Sequence, residues 1–405
     1  MRRQPCDIAQ DFPLLHPDAA GRRLVYLDNA ATTQKPQPVI DRICAWYRQQ
    51  NANVHRGNYP LALAADSALA AARATVQRWL HAASAEEIVF TRGCTEGLNL
   101  IAAAALDAWA APGDNIVVTE LEHSSNGLPF REQCRRRGVA LRVAQAGQDG
   151  SLRPQDVLAL TDSRTRLVAI TAMSNVTGFR PELPCLIRQL HGQGIRVAVD
   201  AAQEAAHHRI DVQALGCDLL CFSAHKLYGP MGCGVLYGRR EALEQLPPWQ
   251  YGGGMLAPDG ESWAPPPARW EAGTPNVEGA VGLAAALEYL EQQDLDALAA
   301  QEAALAAMLR QGLQALPGLH LLGPPQAAPV ASFTVDWCGA YDLGVLLGRR
   351  GIAVRCGAHC AYPLMRRLGV ENCCRVSLGI YNTRQDVEML LRALAEIREA
   401  CHVRS

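Results

Sequence analysis

Charge is scarce in this 405-residue chain: charged residues make up 19% of it and the net charge is −2. No basic run is long enough to line a nucleic-acid groove, and the densest cluster, Arg135-Arg136-Arg137, reads as a solvated helix face. Nucleic acid is therefore not an expected partner. No apolar stretch approaches the roughly 20 residues that a membrane span needs. No apolar segment follows Met1-Arg2-Arg3-Gln4-Pro5-Cys6 in the way a secretion signal requires. No membrane association is expected, and the expected setting is the cytoplasm. The 14 cysteines show no paired C-x-x-C ligand spacing, so no metal is expected. Most of them read as buried thiols. Internal repeats and low-complexity tails are absent too.

What is present is apolar material, 49% of the chain, enough for a large core. The length suggests about two or three domains. Short apolar runs alternate with helix-like patterns from about residue 24 to residue 240. That alternation predicts an α/β domain built on a mostly parallel sheet. In such sheets ligands gather where strands end and loops lead into helices. A long Ala/Leu/Glu helix over about 295–316 bridges to a smaller C-terminal domain. Strands are expected there near 329–335 and 352–354, with a last helix over 385–398.

Several predicted strand ends carry polar residues. The loop Asn53-Val54-His55-Arg56 holds a histidine that fits a functional role or none. Thr91-Arg92-Gly93-Cys94-Thr95-Glu96 turns from a strand into a helix, and helix N-termini suit phosphate, although an ordinary Thr cap reads the same way. His123 stands just past the strand 115–119, and Asn175 past 166–171. Asp200 follows the apolar run Ile195–Val199, where an unpaired carboxylate is costly. A protonated pyridine nitrogen would be a fitting partner. Lys226 lies at the end of another buried run, in Ser223-Ala224-His225-Lys226-Leu227-Tyr228-Gly229-Pro230. It is either a lysine snorkelling to the surface or the Schiff-base anchor of pyridoxal phosphate.

Taken together with Glu271-Ala272-Gly273-Thr274-Pro275-Asn276 and Arg355-Cys356-Gly357-Ala358-His359-Cys360-Ala361, these motifs make a set. From about Val25 to Asn382 the chain resembles the group II cysteine desulfurases. These include selenocysteine lyases, and they belong to the class V aminotransferase branch of fold-type I pyridoxal-phosphate enzymes. The resemblance implies a large cofactor-binding domain over 21–279 with a mostly parallel mixed sheet flanked by helices. Residues 1–20 and 280–405 would form a smaller α+β domain carrying the catalytic cysteine.

Position by position, the resemblance makes Lys226 the Schiff-base lysine and Asp200 the partner of the pyridine nitrogen. Gln203 would bond the ring's phenolic oxygen, and His123 would stack on the ring. Cys94, Thr95, Ser223 and His225 would bind the phosphate. Thr274 would come from the neighbouring subunit, which implies a homodimer. Arg375 would bind the substrate carboxylate, with Arg355, Asn175 and His55 contributing to substrate binding. Cys360 would be the nucleophile, attacking the sulfur of L-cysteine to leave L-alanine and a persulfide for an acceptor protein. Such acceptors include iron–sulfur scaffolds, thiolation pathways and dedicated biosynthetic enzymes.

The chain also departs from the family pattern. Cys94 stands where threonine is frequent, Ser124 where a second histidine is frequent, and Cys356 where threonine or alanine is common. A sulfur relay from Cys360 to Cys356 is one reading of the last, and a bystander thiol is the other. The rival activities are a selenocysteine lyase or a C–S lyase acting on a modified cysteine, which would keep Lys226 and Asp200. A catalytically silent scaffold would need neither.

Overall fold

The computed structural model describes residues 5–326 and 328–402. Met1–Gln4, at the start of the expected 1–20 segment, lie outside the described residues. Thirteen strands are found among those described. Seven of them, β2 (Ile88–Thr91), β3 (Asn115–Thr119), β4 (Ala140–Ala144), β5 (Thr165–Thr171), β6 (Arg196–Asp200), β7 (Leu219–Ser223) and β8 (Gly234–Gly238), form one sheet in the order β2-β8-β7-β6-β5-β3-β4. From β7 to β4 all neighbours are parallel. β8 alone runs against both of its neighbours. The sheet is therefore mixed and mostly parallel.

The central strands read as continuous apolar runs because both faces are covered. Successive side chains point to opposite faces. Val197, Val199, Leu220 and Phe222 enter one core, and Ala198, Leu219 and Cys221 enter the other, under the helix Cys94–Trp109.

A second sheet orders β12 (Arg355–Gly357), β13 (Cys373–Ser377), β10 (Val330–Val335) and β9 (Leu319–Leu322), all antiparallel. The helices Leu295–Gln314, Ala340–Gly348 and Arg384–His402 belong to this part of the chain. Leu309, Phe333, Val376, Leu390 and Leu394 form its core. β1 (Val25–Tyr26) pairs in parallel with β11 (Ile352–Ala353), and Val25 and Leu27 join that same core. The chain thus visits the second core before it builds the large sheet.

Two N-terminal features tie this frame together. Phe12 is fully buried, with its ring edge-on to Tyr381 at 4.6 Å, Tyr228 at 6.0 Å and Tyr289 at 6.1 Å. The loop after β1 grips the backbone beside Lys226. The carbonyl of His225 accepts from the Thr33 N–H (3.0 Å), Thr32 Oγ1 (3.0 Å), Thr33 Oγ1 (3.2 Å) and Lys35 Nζ (2.9 Å). Lys35 Nζ also donates to the Thr33 carbonyl at 2.6 Å. Burial lowers the Lys35 pKa to about 7 from its ordinary 10.5.

Two outcomes are expected. Phe12→Ala removes a ring with three aromatic neighbours and should cost about 3–5 kcal/mol in a urea titration. For Lys35, the folded pKa lies below the unfolded one, so the unfolded chain binds more protons between pH of about 7 and 10.5. Stability from this group therefore rises with pH across that window. Lys35→Met should flatten that part of the rise in a thermal-midpoint series from neutral to alkaline pH.

Candidate active site

Because β3, β5, β6 and β7 run parallel, their carboxyl ends share one edge of the sheet. Asp200 is the last residue of β6 and Ser223 the last of β7. His123, Asn175 and Lys226 follow within a few residues of β3, β5 and β7. They meet in a cavity of about 340 Å³, which Cys94, Thr95, Gln203 and His225 also line. The smaller sheet closes it with Arg355, Arg375 and Cys360. A wider groove of about 650 Å³ past Arg153, Arg180 and Pro324 holds none of the candidate residues, so size does not select the site.

Asp200 is 4% exposed. Its Oδ1 accepts from the Ala202 N–H (2.9 Å) and from Cys94 Sγ (3.3 Å). Its Oδ2 has no hydrogen bond among the described residues. Lys226 has its pKa lowered, chiefly by burial; Asp200 opposes that shift, and the Arg375 and Arg355 charges add to it. The amine is therefore closer to its neutral, basic form than a surface lysine would be.

His123 caps the helix Ser124–Arg137, its Nδ1 accepting from the Ser125 N–H at 3.1 Å. With Nδ1 as acceptor, the neutral ring carries its proton on Nε2. Burial, then the Lys226 charge, lowers its pKa, so the ring stays neutral. Burial lowers His225 to about 4, helped by Lys226 and Lys35. At the phosphate-type turn, the Cys94 N–H donates to Ser223 Oγ at 2.8 Å, and Thr95 Oγ1 lies 2.8 Å from Ser125 Oγ.

On the other wall, Arg375 is 3% exposed and donates to the Asn175 carbonyl at 2.9 Å. Asp28 takes both Nε and Nη2 of Arg355 at 2.9–3.1 Å and stands 3.6 Å from Arg375. Cys360 is exposed and follows His359, and both residues have left-handed φ, 55° and 50°. The Cys360 carbonyl accepts from the N–H (2.7 Å) and the hydroxyl (2.8 Å) of Ser124. Asn175 Nδ2 donates to the His359 carbonyl at 2.8 Å. The small-sheet loop is thus fastened to the large-sheet strand ends.

Two expected residues are not brought to this cavity within the chain. His55 is exposed and bound to the helix Pro60–Leu80, its N–H donating to Asp66 Oδ1 at 2.7 Å. Thr274 lies in an exposed turn between Gly273 and Pro275. Cys356 does not line the cavity either. Strand alternation turns it away from the side of Arg355. It packs with the core behind the sheet, close to Gly344 and opposite Cys374. That placement fits the bystander reading and not the relay.

Two residues with evident work, Asp28 and Lys35, were not singled out from sequence, and Ser124 was noted there only as a departure from the family pattern. A compositional signal pointed to Lys35. The chain contains only two lysines, Lys35 and Lys226, against 36 arginines (38 − 2). Both sit at the His225 peptide.

Similarity to known proteins accords with this arrangement. The profile of the family described as aminotransferase class-V matches residues 25–390. A cysteine desulfurase of Klebsiella pneumoniae subsp. pneumoniae is 46% identical over 396 residues, covering 97% of this chain and 98% of the relative. One from Dickeya dadantii is 45% identical over 394 residues, 96% of each. Among solved structures, the cysteine desulfurase CsdA from Escherichia coli superposes with a TM-score of 0.90 at 36% identity, covering 98% of this chain and 99% of that one. The apo cysteine desulfurase from Thermococcus onnurineus NA1 gives 0.92 at 34% identity, covering 99% of both chains. With a buried acid and a half-buried lysine at neighbouring strand ends and a profile match over nearly its whole length, the chain belongs to the class-V aminotransferase family.

Proposed function

We propose that the chain is a pyridoxal-phosphate-dependent cysteine desulfurase, converting L-cysteine to L-alanine and leaving the sulfur as a persulfide on Cys360 for an acceptor protein. The observation that carries this is an exposed thiol, Cys360, at a cavity that also holds the buried Asp200 and the half-buried Lys226. An aminotransferase has no use for such a thiol.

The residues present fit the cofactor. Gln203 Oε1, His225 Nδ1, Asn175 Oδ1 and Arg375 Nε are buried without a hydrogen-bond partner among the described residues. All four residues line the one cavity. Such a cluster of unsatisfied polar atoms calls for a polar ligand. Asp200, with Oδ2 unused, would hold the ring nitrogen. Gln203 would meet the phenolic oxygen, and His123 would lie on the ring face. Thr95, Ser223, His225 and the first turn of the helix Cys94–Trp109 would hold the phosphate. When bound, pyridoxal phosphate supplies an electron sink for the α-carbon of an amino acid.

The chain's own residues supply the rest. Lys226, with its lowered pKa, accepts the substrate's α-proton as general base. Arg375, backed by Asp28 and with Asn175 beside it, takes the substrate carboxylate. Arg355 adds positive charge at the same wall. The Cys360 thiolate attacks the substrate sulfur; an S–S bond forms as the C–S bond breaks, and the electron pair of that bond goes to the substrate. Protonated Lys226 then returns the proton it took, solvent supplies the second proton that the former C–S carbon needs (matching the one Cys360 lost in becoming a thiolate), and alanine leaves.

The active form in this reading is a homodimer, in which His55 and Thr274 serve the neighbouring copy's cavity. Their exclusion from their own cavity supports this, as do the exposed apolar side chains of Tyr59, Leu63 and Met231. No helix among the described residues is long and apolar enough to cross a membrane. We place the reaction in the cytoplasm, with iron–sulfur assembly among the uses of the sulfur.

Two experiments test this. After one turnover with L-cysteine, peptide mass analysis should find the added sulfur on Cys360, and Cys360→Ala should reduce sulfide release to background. Wild-type sulfide release by that variant would sink the proposal, whereas retained selenide release from L-selenocysteine alone would mark a selenocysteine lyase. Arg375→Lys loses the forked donor and should raise KM for L-cysteine about tenfold, with a smaller change in kcat, in steady-state assays.

A further inference from the structure

Asp200 needs a fixed carboxylate plane if one oxygen is to face a ligand. Two donors fix it here, and both act on Oδ1: the Ala202 N–H at 2.9 Å and the Cys94 thiol at 3.3 Å. The thiol arrives there for readable reasons. Ala198 and Asp200 share one face of β6, and the register sets Asp200 beside Cys221 of β7. The helix Cys94–Trp109 packs on that face, and Gly97 lets it approach closely: a Cβ there would stand 2.6 Å from Cys221 Sγ. The Cys94 N–H is pinned to Ser223 Oγ at 2.8 Å. Cys94 is 5% exposed, and its side chain reaches the carboxylate at the cavity wall.

We infer that Cys94 is a positioning residue: its S–H, together with the Ala202 N–H, locks the Asp200 carboxylate so that Oδ2 is presented to the ring nitrogen of the cofactor. This inference rests on the cofactor reading above. Gln203, 4% exposed in the same cavity with Oε1 unpartnered, independently points to a ligand at this spot. Burial and the Asp200 charge hold the Cys94 thiol well above the usual range, so it stays protonated and remains a donor. The sequence departure at Cys94 is then a change of donor atom, from the threonine hydroxyl frequent in the family to a thiol, and not a loss of function.

The test compares two variants of nearly equal shape, Cys94→Thr and Cys94→Val, which differ in having or lacking a donor. Apoprotein of each is titrated by fluorescence with pyridoxal phosphate and with its 1-deaza analogue, which has no ring nitrogen. Cys94→Thr should bind pyridoxal phosphate as the wild type does, and Cys94→Val about five- to tenfold more weakly. The two variants should bind the deaza analogue alike. Equal binding of pyridoxal phosphate by both variants would overturn the inference, as would an equal loss of both ligands in Cys94→Val, which would mark Cys94 as wall material only. If Cys94→Val does not fold, Cys94→Ser against Cys94→Ala makes the same comparison. Failure of the wild type to take up pyridoxal phosphate would overturn the cofactor reading as well, and so is distinguishable.

Discussion

A carboxylate 4% exposed at the end of a buried strand is the constraint from which the rest of the site follows. Asp200 cannot be there as a bare charge without a large desolvation cost. Hydrogen bonds cover one of its oxygens, and the other is left to a cavity that Lys226, Arg355 and Arg375 also line. Burial, with help from neighbouring cations, holds the nearby histidines neutral. His225 is lowered to about 4 and His359 to about 3, in each case first by burial and then by neighbouring positive charge. The imidazoles are therefore neutral donors and acceptors, and the formal charge of the site is left to the carboxylates, the arginines and the lysine. Lys226 feels both sides, and burial outweighs Asp200.

Much of this edge was legible because strand ends announce themselves. Asp200, Lys226, His123 and Asn175 each follow an apolar run, and a parallel sheet sends such ends to one side. The resemblance to a known family added what spacing could not: the roles proposed for Gln203, Arg375 and Cys360. Less legible were elements whose composition hides their place. β13 is Cys-Cys-Arg-Val-Ser, with Arg375 buried in the middle, and nothing local marks it as a strand. β4 lies at the sheet's edge, half exposed and carrying Arg142, so its apolar pattern is weak. The helix Ser124–Arg137 contains Gly127 and Pro129 and ends in three arginines. Its capping by His123 and its packing on the helix Cys94–Trp109 hold it where propensity would not. Asp28 was visible in the sequence, but its two arginine partners lie more than 300 residues away (355 − 28 and 375 − 28), beyond any local rule.

The thiol is the part that depends most on tertiary structure. Cys360 is not on a strand or a helix. It and His359 adopt left-handed backbone, a conformation that non-glycine residues hold at a cost of order 1–3 kcal/mol each. That cost is met by backbone carbonyls: Ser124 grips that of Cys360 with two donors, and Asn175 grips that of His359. Both clamps come from the large-sheet edge that presents Asp200 and Lys226. The loop is therefore held in its strained shape by the same strand ends that line the cavity, and the thiol is exposed only where the two sheets meet. This explains why Ser124 matters although a histidine is frequent there in the family. Its N–H contact is open to any residue, but its hydroxyl adds a second hold on the loop that carries Cys360. Site and loop are in this sense one construction, and a change at the large-sheet edge reaches the Cys360 thiol through two carbonyl oxygens.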